Sequence, residues 1–310
     1  MAESNRTAYG RALAELADID PMVVALDGDV SGSTNTILLG KKYPERFFNV
    51  GVAEQNEVGI AAGLAVSGFK PYVSTFATFA SMRACDQVRQ SLAYGKLNVK
   101  VVATNAGIEN NGDGVTHQAI EDIAIMRAMP NMMVVCPSDP ISTRKAVFAL
   151  YNTTGPAYMR LGRYESDVIY NEDMEFELGK MIQLREGNDL TLIATGRMVY
   201  EGVKAAEELA SKGIQCRVLD CHTIKPIDRE AIIRAAKETK GIITIEDHSI
   251  IGGLGGAVCE VVCETCPTKV ERIGVQDVFA RSSRDYRQLY ERYGLTAAHI
   301  VKKALEIVNS

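Results

Sequence analysis

Three short segments of this chain carry residue types that chemistry uses, and each falls where a strand-like run ends. Glu54 follows the run RFFNV and the small pair Gly51-Val52, at a strand-to-helix corner. An acidic residue in the first turn of a helix often does no more than complement the helix dipole. This one should point from a strand end toward a crevice. Phe76 and Phe79 lie three apart in STFATF, beside Ser74, Thr75 and Thr78. Aromatics at that spacing usually fill a core, but at a strand-to-helix junction they can offer a ring face to a flat heterocycle. The loop Asn105 to Gln118 is polar and glycine-rich, and it carries Asp113, His117 and Gln118. Long loops in compact domains are often functional. An acid, an aromatic platform and a polar cluster at three strand ends would form one site at the carboxyl edge of a parallel sheet, where ligands of such sheets bind.

The histidines sharpen this choice. Of the four, only His117 sits in such a loop. His299 falls in the last helical stretch and reads as structural or surface, while His222 and His248, near strand ends, stay undecided.

The elements that must position these residues follow from apolar spacing. Strand-length runs fall at Met22 to Leu26, Phe47 to Val50, Tyr72 to Thr75, Val99 to Thr104 and Met132 to Val135. Helical spacing separates them, at Thr7 to Ala17, Glu54 to Ser67, Phe79 to Tyr94, Glu121 to Met129 and Pro140 to Tyr151. Pro140 suits a helix start behind an Asp139 cap. Continuous apolar strands alternating with helices predict an α/β fold with a parallel sheet covered on both faces. The pattern loosens after Leu161, through GRYES, NEDMEFE and REGND, and resumes at Leu190 with a second, smaller α/β alternation. The expected division is a first domain over residues 1–165, a linker over 166–188 and a second domain over 189–310.

Composition narrows the function classes. The 310 residues are 46% apolar and 24% charged, with a net charge of -5. That is a globular composition without the basic excess of a nucleic-acid footprint. The polar start MAESNRTAYG lacks the apolar core of a signal peptide, and the longest apolar run, Val58 to Phe69, is too short and too interrupted to span a bilayer. No membrane or nucleic-acid partner and a cytoplasmic location are therefore expected. The odd number of cysteines, seven, reads as reduced and mostly buried thiols. Cys259, Cys263 and Cys266 have the spacing of an iron–sulfur motif, but AVCEVVCETC reads as a helix whose cysteine face packs as core. The glycines Gly252 to Gly256 make a turn before that helix and are weak evidence for a dinucleotide loop.

Taken together, GVAEQNEVGIAAGLA, STF-x-x-F, GDGVTHQ followed by Glu121, and the PNM-x-x-x-x-P-x-D run resemble transketolase over the whole chain. The match is to its C-terminal part, as in split transketolases with separate N- and C-terminal subunits. The resemblance implies a pyrimidine-binding domain followed by the transketolase C-terminal domain. It implies thiamine diphosphate and Mg²⁺ as cofactors, with the diphosphate and metal site on an N-terminal partner subunit and none on this chain. An α₂β₂ heterotetramer is implied as well. The activity implied is transfer of a two-carbon ketol unit from a ketose to an aldose, free or phosphorylated, with this chain inactive alone. A subunit of a 2-oxo-acid decarboxylase or dehydrogenase, or a deoxyxylulose-phosphate-synthase-like enzyme, is the alternative.

By the same resemblance, Glu54 hydrogen-bonds N1′ of the cofactor's aminopyrimidine and drives the tautomer that removes the thiazolium C2 proton. Phe79 stacks on that ring, Phe76 walls its pocket, and Asp29 lies near the cofactor at the subunit interface. Met82 replaces a further aromatic. His117 contacts the donor sugar, Asp113 reads a substrate hydroxyl, and Arg6, Ser33 and Arg160 hold a substrate phosphate. Asn105 stands where the family has a histidine on that phosphate. Gly-Asp-Gly at 112–114 could open a metal and diphosphate motif, but such a motif closes with paired asparagines further along, and Asn131 and Asn152 stand alone. It is rejected as a diphosphate site, in keeping with a partner that supplies one.

Overall fold

Apolar alternation builds the first sheet. In the computed structural model, which describes residues 3–308, the N-terminal half supplies eight strands. They are β1 (Glu3–Ser4), β2 (Val23–Asp27), β3 (Phe47–Asn49), β4 (Lys70–Phe76), β5 (Lys100–Thr104), β6 (Met133–Val135), β7 (Ala157–Arg160) and β8 (Glu165–Ser166). β2, VVALD, is buried at all five positions. Val24 and Leu26 enter one core and Val23 and Ala25 the other, because successive strand side chains point to opposite faces. The main sheet runs β6-β7-β5-β4-β2-β3, all parallel. One face packs under the helices Asn5–Ile19 and Pro140–Tyr151 through Leu13, Leu16, Val147 and Leu150. The opposite face packs under Glu54–Val66 and the segment 79–94 through Val58, Ala61, Val88 and Leu92. Asp139 caps Pro140–Tyr151 in a reciprocal pair with Ser142, which satisfies otherwise orphaned helix N–H groups.

Two local departures matter. Spacing predicts one regular helix over 79–94, whereas Phe79–Arg83 and Val88–Tyr94 are π-wound around a short α turn, Cys85–Gln87. Widened turns of this kind are frequent at functional sites. The stretch 166–188, expected to be linker, is partly sheet: Glu165–Ser166 pairs antiparallel with β1, and β9 (Ile182–Arg185) joins the second sheet. Leu184 of β9 packs against the second domain's core, which explains why a polar-looking stretch takes up strand pairing.

The second half adds β10 (Leu190–Ala194), β11 (Cys216–Asp220), β12 (Thr223–Lys225), β13 (Ile242–Ser249) and β14 (Val270–Val275). Its sheet runs β14-β13-β10-β11-β9, parallel except for β9. β12 leaves that unit and pairs antiparallel with β6, extending the first sheet. One apolar cluster runs through the same seam, from Met126 and Met132 to Ile232, Leu254 and Val258. The two units are therefore joined by both sheet pairing and a shared core.

The cysteine expectation needs correcting. All seven are free thiols, but only Cys136, Cys216 and Cys221 are buried. In the helix Leu254–Thr265 the core face is taken by Leu254, Val258, Val261 and Val262. Cys263 is exposed and Cys259 half-buried. Their i, i+4 spacing gives them a common face, but that face points outward.

Candidate active site

Adjacent strand ends bring the expected residues together. β4 lies between β5 and β2, and β3 follows β2. Glu54 therefore starts its helix two strands from the turn that carries Phe76 and Phe79, and the loop 105–118 leaves β5 on the other side. The Phe76 and Phe79 rings are stacked at 6.1 Å between centroids, 24° apart. The His117 imidazole meets both edge-on, 6.2 Å from Phe76 and 5.2 Å from Phe79. These aromatics form one wall rather than a core plug.

Glu54 is only 2% exposed. Its partner, which the sequence did not disclose, is Arg83: one guanidinium nitrogen donates to both carboxylate oxygens at 3.0 Å. The same guanidinium lies 4.4 Å from the centroid of the Phe79 ring. Arg83 is half-exposed and sits at the end of the first π-wound turn. A flat, N–H-bearing cation thus already occupies the space between a buried carboxylate and an aromatic face. Met82 is also partly exposed beside it.

A second acid lies beneath. Glu57, one turn beyond Glu54, is fully buried; it accepts the Ser74 N–H at 3.1 Å, and its other oxygen has no partner. Burial, with Asp27 nearby, holds its carboxyl well above the usual range. Asp27 is raised too, by burial, although Thr34, Thr36 and the Val30 N–H all donate to it. Asp29 stands just beyond β2, exposed and left-handed at φ 65°, and accepts from Asn49 at 2.8 Å.

The loop after β5 carries its own polar set. Asp113 pairs with Arg163 at 3.2 Å, and Arg163 also donates to the Asn110 amide oxygen. The Asn110 amide in turn donates to the His117 carbonyl at 3.2 Å. Asn105 is buried just past β5, left-handed at φ 57°, and its amide oxygen has no partner.

Arg6 and Ser33 also meet, as expected: Arg6 donates to the Ser33 carbonyl at 2.9 Å. Burial and the nearby Arg163 guanidinium pull the Arg6 pKa down, and its Nε is buried without an acceptor. Two guanidiniums crowded at the edge of an open cleft of about 820 Å³, lined also by Tyr164, Arg197 and Arg284, suit an oxyanion. Arg160 does not join them. It is buried, paired with Asp122 at 2.8 Å, and donates to the Ala119 and Asp247 carbonyls. These contacts lie in the seam between the two units, apart from Arg6 and Ser33, so the structure does not bring Arg160 together with the other residues expected on a phosphate. Arg163, three residues on and out of the sheet, faces the cleft instead.

The remaining histidines are placed by burial. His222 stacks on Phe176 at 4.0 Å, and His248 accepts the Ala124 N–H; desolvation lowers each to about 4. His299 contacts Thr296 at the start of the last helix. Among the described residues, no three His, Cys, Asp or Glu side chains converge as metal ligands.

Residues 2–167 match the transketolase pyrimidine-binding domain family, and residues 179–300 match the transketolase C-terminal domain family. A putative transketolase C-terminal section of Methanocaldococcus jannaschii is 48% identical over 304 residues, 97% of this chain and 95% of that protein. A 6-deoxy-6-sulfo-D-fructose transketolase subunit of a Clostridium species is 45% identical, covering 97% of this chain and 94% of that one. Among solved structures, a split-gene transketolase described as an inactive beta4 tetramer superposes with a TM-score of 0.91 at 45% identity, over 100% of this chain and 99% of that protein.

Proposed function

The chain belongs to the transketolase family, and on that footing we propose that it is the C-terminal subunit of a thiamine-diphosphate-dependent transketolase. It moves a two-carbon ketol unit from a ketose to an aldose when joined to an N-terminal partner. The observation that carries this reading is the buried Glu54 carboxylate facing a planar guanidinium stacked on Phe79. An acceptor and a ring face set around a flat N–H donor fit the aminopyrimidine of that cofactor.

The cofactor supplies the electron sink for carbon–carbon cleavage. This chain's part is to bind, orient and exchange protons. Glu54 holds or gives up a proton at its carboxylate oxygen, shielded from water by burial. Phe79 and Phe76 present the stacking wall, and Arg83 swings aside to free both Glu54 and that wall. His117, at the edge of the wall, donates to or accepts from the donor sugar's hydroxyls, and Asp113 reads a further hydroxyl. Arg6, Arg163 and the Ser33 hydroxyl hold an anionic sugar terminus. Phosphate and sulfonate present the same oxyanion chemistry, and the relative from Clostridium is named for a sulfonated ketose. The partner supplies the Mg²⁺ and diphosphate site, in an α₂β₂ assembly within the cytoplasm. Val52, Met82 and Val115, exposed apolar residues, suit burial against that partner. No helix of the described residues is long and apolar enough to cross a membrane.

Co-expression with the N-terminal subunit, then a panel of neutral, phosphorylated and sulfonated ketoses with aldose acceptors, tests the proposal. Ketol transfer by the complex and by neither subunit alone is the expected result. Pyruvate consumption without sugar transfer would contradict it.

A further inference from the structure

The loop that carries Asp113 and His117 is gripped from the second domain. Asp247, at the end of β13, accepts the Ile108 N–H with both oxygens, at 3.1 and 3.3 Å. Gly107, at φ 70°, comes so close that a Cβ there would run into the Asp247 carboxylate. Glu109 accepts the N–H groups of Arg163 at 2.6 Å and Tyr164 at 3.3 Å, and pairs with Arg197 at 3.2 Å. Both carboxylates meet one hydroxyl: Tyr290 lies 3.2 Å from Glu109 Oε1 and 3.0 Å from Asp247 Oδ2. Along the same loop, Asn111 donates to the Ser283 carbonyl at 2.7 Å and accepts the Ser283 N–H at 3.0 Å. Gln118 donates to the Arg281 carbonyl at 3.1 Å. Gly114, at φ 77°, leaves no room for a side chain beside Ser282.

We propose that the segment 281–290 of the second domain, ending at Tyr290, is a clamp that fixes the Asp113–His117 loop against the Phe76–Phe79 wall. Tyr290 is then a positioning residue for the sugar donor. The physical argument is one of constraint. The loop is also bonded within itself and to Arg163 and Tyr164, but at 108, 109, 111 and 118 it is tied to the second domain as well, through Asp247, Arg197 and Tyr290, Ser283 and Arg281. Tyr290 is buried and makes no hydrogen bond or ring contact to His117 or Glu54, so it acts on them through the loop. The inference rests on reading Asp113 and His117 as donor contacts, and it gives the second domain a task in a reaction whose other groups lie on the first.

The test uses Tyr290→Phe in the assembled two-subunit enzyme, since that variant removes one hydroxyl and keeps the ring. Donor kcat/KM should fall roughly tenfold to a hundredfold, as misplacement of a contact group does. The acceptor KM and the dissociation constant for thiamine diphosphate should stay at their wild-type values. Amide hydrogen exchange should speed up over residues 106–118 and stay unchanged in β10 and β13. Unchanged exchange over 106–118 would overturn the clamp, as would equal losses of cofactor affinity and donor turnover. If the wild-type complex transfers no ketol unit, the functional reading fails, and the exchange experiment alone still decides whether Tyr290 holds the loop.

Discussion

Arg83 and Glu54 are joined across the site, one guanidinium nitrogen standing 3.0 Å from each carboxylate oxygen. The pair is lopsided: the carboxylate is nearly sealed, while the arginine is half in solvent and rests on Phe79. Removing the exposed partner would leave a buried charge uncompensated, although solvent screens part of the loss.

Arg83→Ala should therefore destabilise the isolated subunit by about 1 kcal/mol, less than a fully buried pair would lose. In the assembled enzyme saturated with thiamine diphosphate the deficit should shrink, because the cofactor then offers Glu54 another hydrogen-bond donor. Thermal denaturation of both forms, with and without cofactor, measures it. A deficit as large in the loaded complex as in the free subunit would show that Arg83 stays on Glu54 throughout.

Arg160 and Arg163 should separate cleanly. Arg160→Ala breaks a buried pair with Asp122 and should cost about 3–5 kcal/mol in denaturant unfolding. Arg163→Ala should leave stability nearly unchanged but raise the KM for an anionic ketose roughly tenfold or more. A neutral ketose should lose less, only what the missing Arg163–Asp113 pair costs. Equal effects on charged and neutral donors would remove Arg163 from the anion contact.

These two arginines show what the sequence could and could not disclose. Glu54, Phe76 and Phe79 were legible because each sits at or just past a strand end whose apolar run is unmistakable, and parallel strands must align those ends; His117 was legible from its polar, glycine-rich loop. Asp139 before Pro140 was legible for the same local reason. Arg160 and Arg163 differ only in whether the side chain leaves the last residue of β7 or the turn beyond it, and the choice is made by Asp122, far along the chain. Arg83 was hidden because its reach to Glu54 depends on π-winding, which no apolar spacing announces. β9 and the helix Tyr286–Tyr293 escaped because their apolar residues are few and find their partners only in the second core.

Glu57 should make stability fall with rising pH. Its folded-state carboxyl is held well above the usual range by burial, so the folded chain binds that proton more tightly than the unfolded one. The stabilisation is complete below the ordinary glutamate value and is lost as pH climbs toward the raised, folded-state value. Glu57→Gln keeps an acceptor for the Ser74 N–H and cannot ionise. Stability measured against pH for both proteins should converge in acid and diverge upward in favour of the variant. Parallel curves would mean that Glu57 is ionised in the fold.

The most direct measurement concerns Glu54 itself. In the assembled enzyme, exchange of the thiamine diphosphate C2 proton should slow by about 10²-fold or more in Glu54→Gln, the usual contribution of a positioned acid–base group. Subunit assembly should stay intact. Exchange at the wild-type rate in a correctly assembled variant would contradict the account.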